Sequence, residues 1–148
     1  MQFSDPEKSL LKAGSELRYS NTESERVIKS PNGQYVLEIE SNGNLILKIQ
    51  NSGTVIWATG TFGGSGSVLK MQRDMHLVLY NGSGGAIWAT QVYIGQHSIQ
   101  WKANGYLKVQ DDGNLAVYDG DNNIMWESET TGGTQKSTNG GGKTHSLG

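Results

Sequence analysis

Five side chains at alternate positions have types suited to polar recognition: Gln110, Asp112, Asn114, Ala116 and Tyr118. In an extended chain these five share one face, while Leu115 and Val117 point to the other. The shared face then presents an amide, a carboxylate, a second amide, a small apolar spot and a phenol. Carboxylate and amide groups match vicinal hydroxyls, each of which donates and accepts, and an apolar spot suits the C–H patches of a hexopyranose. For a single strand the alternative reading is an ordinary solvated outer face. Recurrence of the row at Gln72, Asp74, His76, Val78 and Tyr80 favours the first reading. A more divergent copy occupies Glu40, Asn42, Asn44, Ile46 and Lys48.

The segments that must position these rows are themselves repeated. The three copies begin at Glu40, Gln72 and Gln110, 32 and 38 residues apart. Each is preceded by alternating apolar residues: Leu37 and Ile39, Leu69 and Met71, Leu107 and Val109. After a short polar turn each is followed by an apolar residue and a tryptophan: Ile56-Trp57, Ile87-Trp88 and Met125-Trp126. The internal period is two, which predicts strands with one buried face. Asn-Gly and Asp-Gly pairs at 32–33, 42–43, 81–82, 104–105, 112–113 and 119–120 supply hairpin turn signals. No helix is predicted, beyond a single turn over residues 7–13 that Gly14 would end. A sheet of three or four short strands cannot bury its apolar face alone. Three such sheets around a common axis can, with Trp57, Trp88, Trp126, Leu45, Leu77 and Leu115 filling it. Burial is worth about 1.5–3 kcal/mol per large side chain.

Composition narrows the function classes. A chain of 148 residues is one domain, or one domain with tails. Residues 1–8 are expected to be a flexible N-terminal segment, 9–129 the domain, and 130–148 a flexible Gly/Ser/Thr-rich tail whose only large apolar side chain is Leu147. No run of 18 apolar residues is present to span a membrane. A net charge of −2 argues against nucleic acid, which needs a basic field. The lack of cysteine removes disulfides, zinc-thiolate sites and thiol nucleophiles together, and fits a reducing compartment. With no basic-then-apolar leader at Met1–Lys8, a cytoplasmic location is expected, secretion by an unconventional route remaining open.

Catalytic readings find little support. His76, His97 and His145 are scattered, and only His76 lies on a repeated polar face. Asp111 and Asp112 are adjacent, so on a strand they would point apart, whereas a glycosidase needs facing carboxylates about 5–10 Å apart. Gly142-Lys143-Thr144 resembles the end of a phosphate loop, but Ser137 stands where its earlier glycine is required. Asp119-Gly120-Asp121-Asn122-Asn123 resembles the start of a calcium loop, but Ile124 and Thr130 occupy its glycine and glutamate positions. A hairpin turn is the better reading. Trp101 lies outside the repeated pattern and is expected to pack at a sheet edge, with a contact aromatic or dimer anchor as the alternative. No enzyme activity, cofactor or metal is expected.

The repeated nine-residue unit resembles the Q-x-D-x-N-x-V-x-Y motif of the monocot (snowdrop-type, bulb-type) mannose-binding lectins. The resemblance runs from about Leu11 to Glu127. It includes Ser30-Pro31-Asn32-Gly33-Gln34-Tyr35 and the endings Ile56-Trp57-Ala58-Thr59 and Ile87-Trp88-Ala89-Thr90. It implies an all-β fold, the β-prism II, with three small antiparallel sheets around a pseudo-threefold axis. It also implies that mannose or mannose-containing glycans are the partner. In the third unit it places Asp112 and Asn114 on the sugar 2-hydroxyl, Gln110 on the 3-hydroxyl and Tyr118 on the 4-hydroxyl, with Ala116 giving a reduced apolar contact. The second unit keeps Gln72, Asp74, Val78 and Tyr80, with His76 in the asparagine position. The first keeps only Asn44 unchanged: Glu40, Asn42 and Lys48 depart from the pattern and Ile46 is a conservative replacement, so weak or no mannose binding, or a different ligand, is expected there. The lack of cysteine is similar to cytosolic, disulfide-free members. The resemblance leaves a homodimer formed by exchange of C-terminal strands open, along with a protein-interaction or antibacterial module on the same scaffold.

Overall fold

The alternating segments do form strands. The structure is a computed structural model and describes residues 9–90 and 101–145. The expected loose segment at 1–8, His97 and Leu147 therefore lie outside the described residues. In chain order the elements are β1 (Leu10–Lys12), β2 (Glu16–Arg18), α1 (Glu23–Arg26), β3 (Val27–Lys29), β4 (Tyr35–Ile39), β5 (Leu45–Ile49) and β6 (Val55–Ala58). They continue with β7 (Val68–Met71), β8 (Leu77–Tyr80), β9 (Ala86–Ala89), β10 (Tyr106–Val109), β11 (Leu115–Tyr118), β12 (Ile124–Glu127) and β13 (Lys143–Thr144). The fold is the all-β arrangement of three antiparallel sheets, ordered β3-β4-β5-β6, β2-β7-β8-β9 and β1-β10-β11-β12-β13. Each repeated unit contributes three consecutive strands to one sheet. The fourth strand comes from the first 29 residues, which send β1, β2 and β3 into three different sheets. No helix among the described residues is long and apolar enough to cross a membrane.

A bulge explains how two neighbouring apolar residues both reach the core. The pairing register shifts between Leu47 and Lys48, between Leu79 and Tyr80, and between Val117 and Tyr118, the same place in all three sheets. Trp57 pairs with Leu47 and Val55 with Lys48, leaving Ile56 as the extra residue. Such a bulge breaks strict alternation, so Ile56 and Trp57 both turn inward, as do Met125 and Trp126, and all four are buried. The three indoles meet on the axis at centroid distances of 5.5, 5.7 and 5.6 Å, each pair edge to face. That geometry sets the positive ring edge against the negative ring face. Leu45, Leu77 and Leu115 are fully buried around them. Trp101 is also buried and packs with this core.

Two expectations change. A helical turn falls at Glu23–Arg26, and of the turn expected over 7–13 the described part shows Ser9 in a 3-10 turn, followed at once by Leu10–Lys12, which pairs with β10 as a strand. The second concerns the C-terminal segment, expected to be loose from residue 130. Residues 130–145 instead form a strap across the end of the axis. Lys136 N–H donates to Ile56 O at 2.8 Å, Ala58 N–H to Ser137 O at 3.0 Å and Gly140 N–H to Ala58 O at 2.8 Å. The strap then crosses to the other edge, where Lys143 and Thr144 pair with Glu127 and Trp126. On the way it accepts two indole N–H bonds, from Trp57 to Gly141 O at 2.8 Å and from Trp88 to Gly140 O at 2.9 Å. The glycines read as flexibility serve close approach. A Cβ at Gly140 would lie 2.2 Å from Trp88 Nε1, and one at Gly142 would lie 2.4 Å from Trp126 Cζ2.

Asp119 closes the last hairpin from inside. It is fully buried and accepts from Asn123 N–H at 2.8 Å, Lys102 N–H at 2.9 Å and Asp121 N–H at 3.0 Å, with the Asn123 side-chain amide at 3.3 Å. Burial works to raise its pKa, but these donors together hold the carboxyl below the usual carboxylate range.

Two outcomes follow. Truncation after Thr134 strips the β6 and β12 edges and leaves two indole N–H groups without acceptors. At about 1 kcal/mol for each lost bond, before lost packing, the thermal midpoint should fall by several degrees, which differential scanning calorimetry would read. Asp119→Ala leaves three backbone N–H groups without an acceptor and should cost about 3 kcal/mol at pH 7. Because the folded pKa is lowered, this contribution is complete above the ordinary carboxylate pKa and disappears as pH falls through the folded value. The gap between wild type and variant in urea unfolding should narrow in strong acid.

Candidate functional site: three polar outer faces

Each row of candidate residues is built partly by a turn and partly by a strand, not by one continuous strand. Gln110, Asp112 and Asn114 lie in the hairpin between β10 and β11, closed by Gln110 N–H to Asn114 O at 3.0 Å and Gly113 N–H to Gln110 O at 3.1 Å. The Asp112 carboxylate accepts the Asn114 N–H at 2.9 Å, an Asx turn that fixes the loop. Gly113 holds φ near 92°, as Gly43 does at 88°; in the second unit the non-glycine Met75 takes this conformation at 77°. Only Ala116 and Tyr118 belong to the strand proper. The turn nevertheless brings Gln110 back beside Tyr118, and the two side chains are hydrogen-bonded.

On the third face Tyr118 stacks on Tyr106 at a centroid distance of 5.3 Å. Burial raises the Tyr118 pKa, the negative charges of Asp112 and Glu127 raise it further, and the Gln110 hydrogen bond opposes them. The phenol therefore stays neutral, with its O–H available as a donor. Asn114 is buried, at 5% exposure. Its carbonyl accepts from Thr130 N–H at 3.2 Å and Ser128 O–H at 3.3 Å, and its amide donates to Glu127 Oε1 at 3.0 Å. One amide N–H is left for anything outside. Ala116 is fully covered.

The second face assembles the same groups. Gln72 donates to both Asp74 oxygens, at 3.2 and 3.1 Å, and accepts from the Tyr80 hydroxyl. Asp74 accepts the His76 N–H at 3.1 Å, and the His76 Nδ1 atom lies 3.8 Å from Asp74 Oδ2. Val78 is buried beside them. Lys70 Nζ stands 5.5 Å from the centre of the Tyr80 ring, within cation–π range.

The first face has become an ion-pair surface. Lys48 Nζ lies 3.0 Å from Glu38 Oε1, and Arg26 Nε lies 3.5 Å from Glu38 Oε2. Glu40 is raised by burial and by the charge of Glu38, with Lys48 opposing. Asn42 caps its own turn by accepting the Asn44 N–H at 2.9 Å. Asn44 accepts from Gly60 N–H at 2.9 Å, Thr61 N–H at 3.2 Å and Thr59 O–H at 3.3 Å. Asn44 and Asn114 thus share a duty the sequence reading missed: each ties the start of its strand to the loop that follows the next one. Ile46 is buried under the charged groups.

Sequence reasoning also missed Glu38, Arg26 and Glu127. For Glu127 a signal was present, because Trp126-Glu127-Ser128 breaks the Trp-Ala-Thr ending of the other two units. Among the described residues no group of three or more His, Asp or Glu side chains could hold a metal ion.

Three sheets closed on an indole axis, each with a shallow polar outer face, define the β-prism II scaffold. No family model matches the chain, and no curated protein does. Solved structures do. The chain is similar to the monomeric monocot mannose-binding lectins of Gastrodia elata, with 34% identity over 83% of this chain and 98% of theirs and a TM-score of 0.65. It is similar to the mannose-specific agglutinin of snowdrop (Galanthus nivalis) bulbs complexed with methyl-α-D-mannoside, with 28% identity over 76% and 91% of the two chains and a TM-score of 0.55. A Marasmius oreades lectin matches at 25% identity over 84% and 92%, with a TM-score of 0.67. The chain belongs to the monocot mannose-binding lectin family.

The Tyr118 environment is directly measurable. Its phenolate should appear above the ordinary tyrosine value of about 10, and Asp112→Asn should move the transition down by removing one of the charges that oppose it. Carbon-13 titration of labelled tyrosine reads both.

Proposed function

We propose that the chain is a non-catalytic lectin that binds mannose or mannose-containing glycans on the outer faces of its second and third sheets. One observation carries this reading: two sheets hold the same constellation, Gln72 with Asp74 and Tyr80, and Gln110 with Asp112 and Tyr118. In both, the glutamine and tyrosine are bonded to each other and the aspartate is seated in the preceding turn. The carboxylate and amide oxygens accept, the phenol and amides donate, and each face is shallow and open to water. The snowdrop relative, solved with methyl-α-D-mannoside, supports the choice of sugar. The first face, where Lys48 and Glu38 neutralise each other, is not assigned a sugar.

Contacts of this kind cover little area, so one monosaccharide should bind at about millimolar, near −4 kcal/mol. Two faces on one rigid scaffold raise the effective affinity for a branched glycan that spans them. The C-terminal strand is seated on β12 of its own chain, and the Gastrodia elata relatives are described as monomeric. The description of those relatives favours a monomer over a strand-exchanged homodimer.

Retention on mannose-agarose with elution by free mannose tests the reading. Asp112→Ala should abolish most of the retention and Asp74→Ala the remainder. A folded double variant that is retained as well as wild type overturns the assignment, as does wild-type protein that passes unretained.

A further inference from the structure

The third face departs from the other two at one pair of positions. On β5 and β6, Ile46 sits opposite Ala58, and on β8 and β9, Val78 sits opposite Ala89. On β11 and β12 the sizes are exchanged, with Ala116 opposite Glu127. The exchange is more than a filling of space. Ala116 has no exposed surface, while the Glu127 side chain keeps 20% of its own. The carboxylate is held from both sides: Oε1 accepts the Asn114 amide at 3.0 Å, and Oε2 lies 2.7 Å from His145 Nε2. His145 is itself fixed by its N–H bond to Met125 O at 2.9 Å, so the strap supplies the clamp. Glu127 lies across from Ala116, two residues before Tyr118 on the same strand, and its charge, like that of Asp112, acts on the Tyr118 phenol.

We propose that Glu127 is the specificity-determining residue of the third face: a fixed carboxylate that accepts a hydroxyl of the bound pyranose where the second face offers only an apolar wall. The inference rests on the carbohydrate reading of Gln110, Asp112 and Tyr118. A carboxylate has about four lone-pair sites. Asn114 and His145 take one on each oxygen, and the exposed part of the group leaves room for a further donor. A bond to an ionised acceptor is about twice as strong as a neutral one. A partly buried acceptor left without its donor is correspondingly costly. The third face therefore selects a neutral hexopyranose with a free hydroxyl over Ala116, and rejects the analogue lacking it. The second face, where Val78 and Ala89 make only van der Waals contact, tolerates the same loss. The two faces differ in ligand preference although their Gln, Asp and Tyr are the same.

The test uses single-face proteins. Asp74→Ala leaves the third face, and Asp112→Ala leaves the second. Each is titrated with methyl α-mannopyranoside and its four monodeoxy analogues by nitrogen-15 NMR, which reports fold and binding together. In the Asp74→Ala protein, Glu127→Ala should weaken the parent mannoside about tenfold and erase the penalty for one deoxy position. Glu127→Gln, which keeps an oxygen for Asn114, should weaken it by less and keep the selectivity. The pair Ala116→Val with Glu127→Ala copies the second face, and should reproduce the deoxy profile of the Asp112→Ala protein. If folded Glu127→Ala and Glu127→Gln proteins both keep the wild-type ratios across the analogues, Glu127 only fills space and the inference fails. If an Asp74→Ala, Asp112→Ala protein still binds the mannoside at the third face, the carbohydrate reading itself fails, a result independent of Glu127.

Discussion

Three tryptophan rings meeting edge to face impose the geometry on which the rest depends. Indoles fill an axis where three sheets converge only if each sheet delivers its ring at the same height. The shared bulge opposite Lys48, Tyr80 and Tyr118 does this by turning a second residue inward beside each tryptophan. The bulge has an outward effect as well. It sits under the last residue of each candidate row, so the position that carries the phenols of Tyr80 and Tyr118 is set by the same irregularity that seats the indoles. Packing inside and the placement of the outer row are two sides of one backbone distortion. The axis also creates a polar demand, since an indole N–H needs an acceptor when it is buried. Carbonyls of Gly140 and Gly141 meet it for two of the three rings.

The rows had an evident period, and the period was enough for the fold. Leu37, Ile39, Leu45 and Leu47 alternate in sequence and are all fully buried. Legibility fails where a side chain's fate depends on a strand distant in sequence. Asn114 reads as an exposed amide on a polar strand, yet it is buried because the loop at Ser128 and Thr130 folds over it. Nothing within the nine-residue unit encodes that cover. The row also reads as five positions of one strand, whereas its first three occupy a turn, because the Asp-Gly pair at 112–113 bends the chain within the row itself. The C-terminal segment fails for a different reason. Glycine is the commonest signal of a mobile chain, and the same residue is the only one that fits against an indole face at 140 and 142. Composition does not distinguish the two uses; the packed partner does.

The three outer faces show how far one scaffold can diverge without disturbing its core. Inward residues remain large and apolar in every copy. Outward, Lys48 stands where the other copies have a tyrosine and its charge is met by Glu38 on the adjacent strand β4, so the first face is an ion-pair surface where the others are hydrogen-bonded. In the third copy a size exchange between Ala116 and Glu127 keeps the pairing register of the other two copies and introduces a charge. Each change is compensated by its cross-strand neighbour, so the faces vary as pairs rather than as single residues.

The first 29 residues have a consequence for how the molecule is made. They place β1 against β10, β2 against β7 and β3 against β4. β1 and β2 therefore lie far in sequence from their partners, β1 the farther, since β10 opens the last unit. The β3–β6 sheet is contiguous in sequence, whereas each of the other two takes one strand from residues 10–18, so those two sheets are complete only once segments far apart in the chain have met.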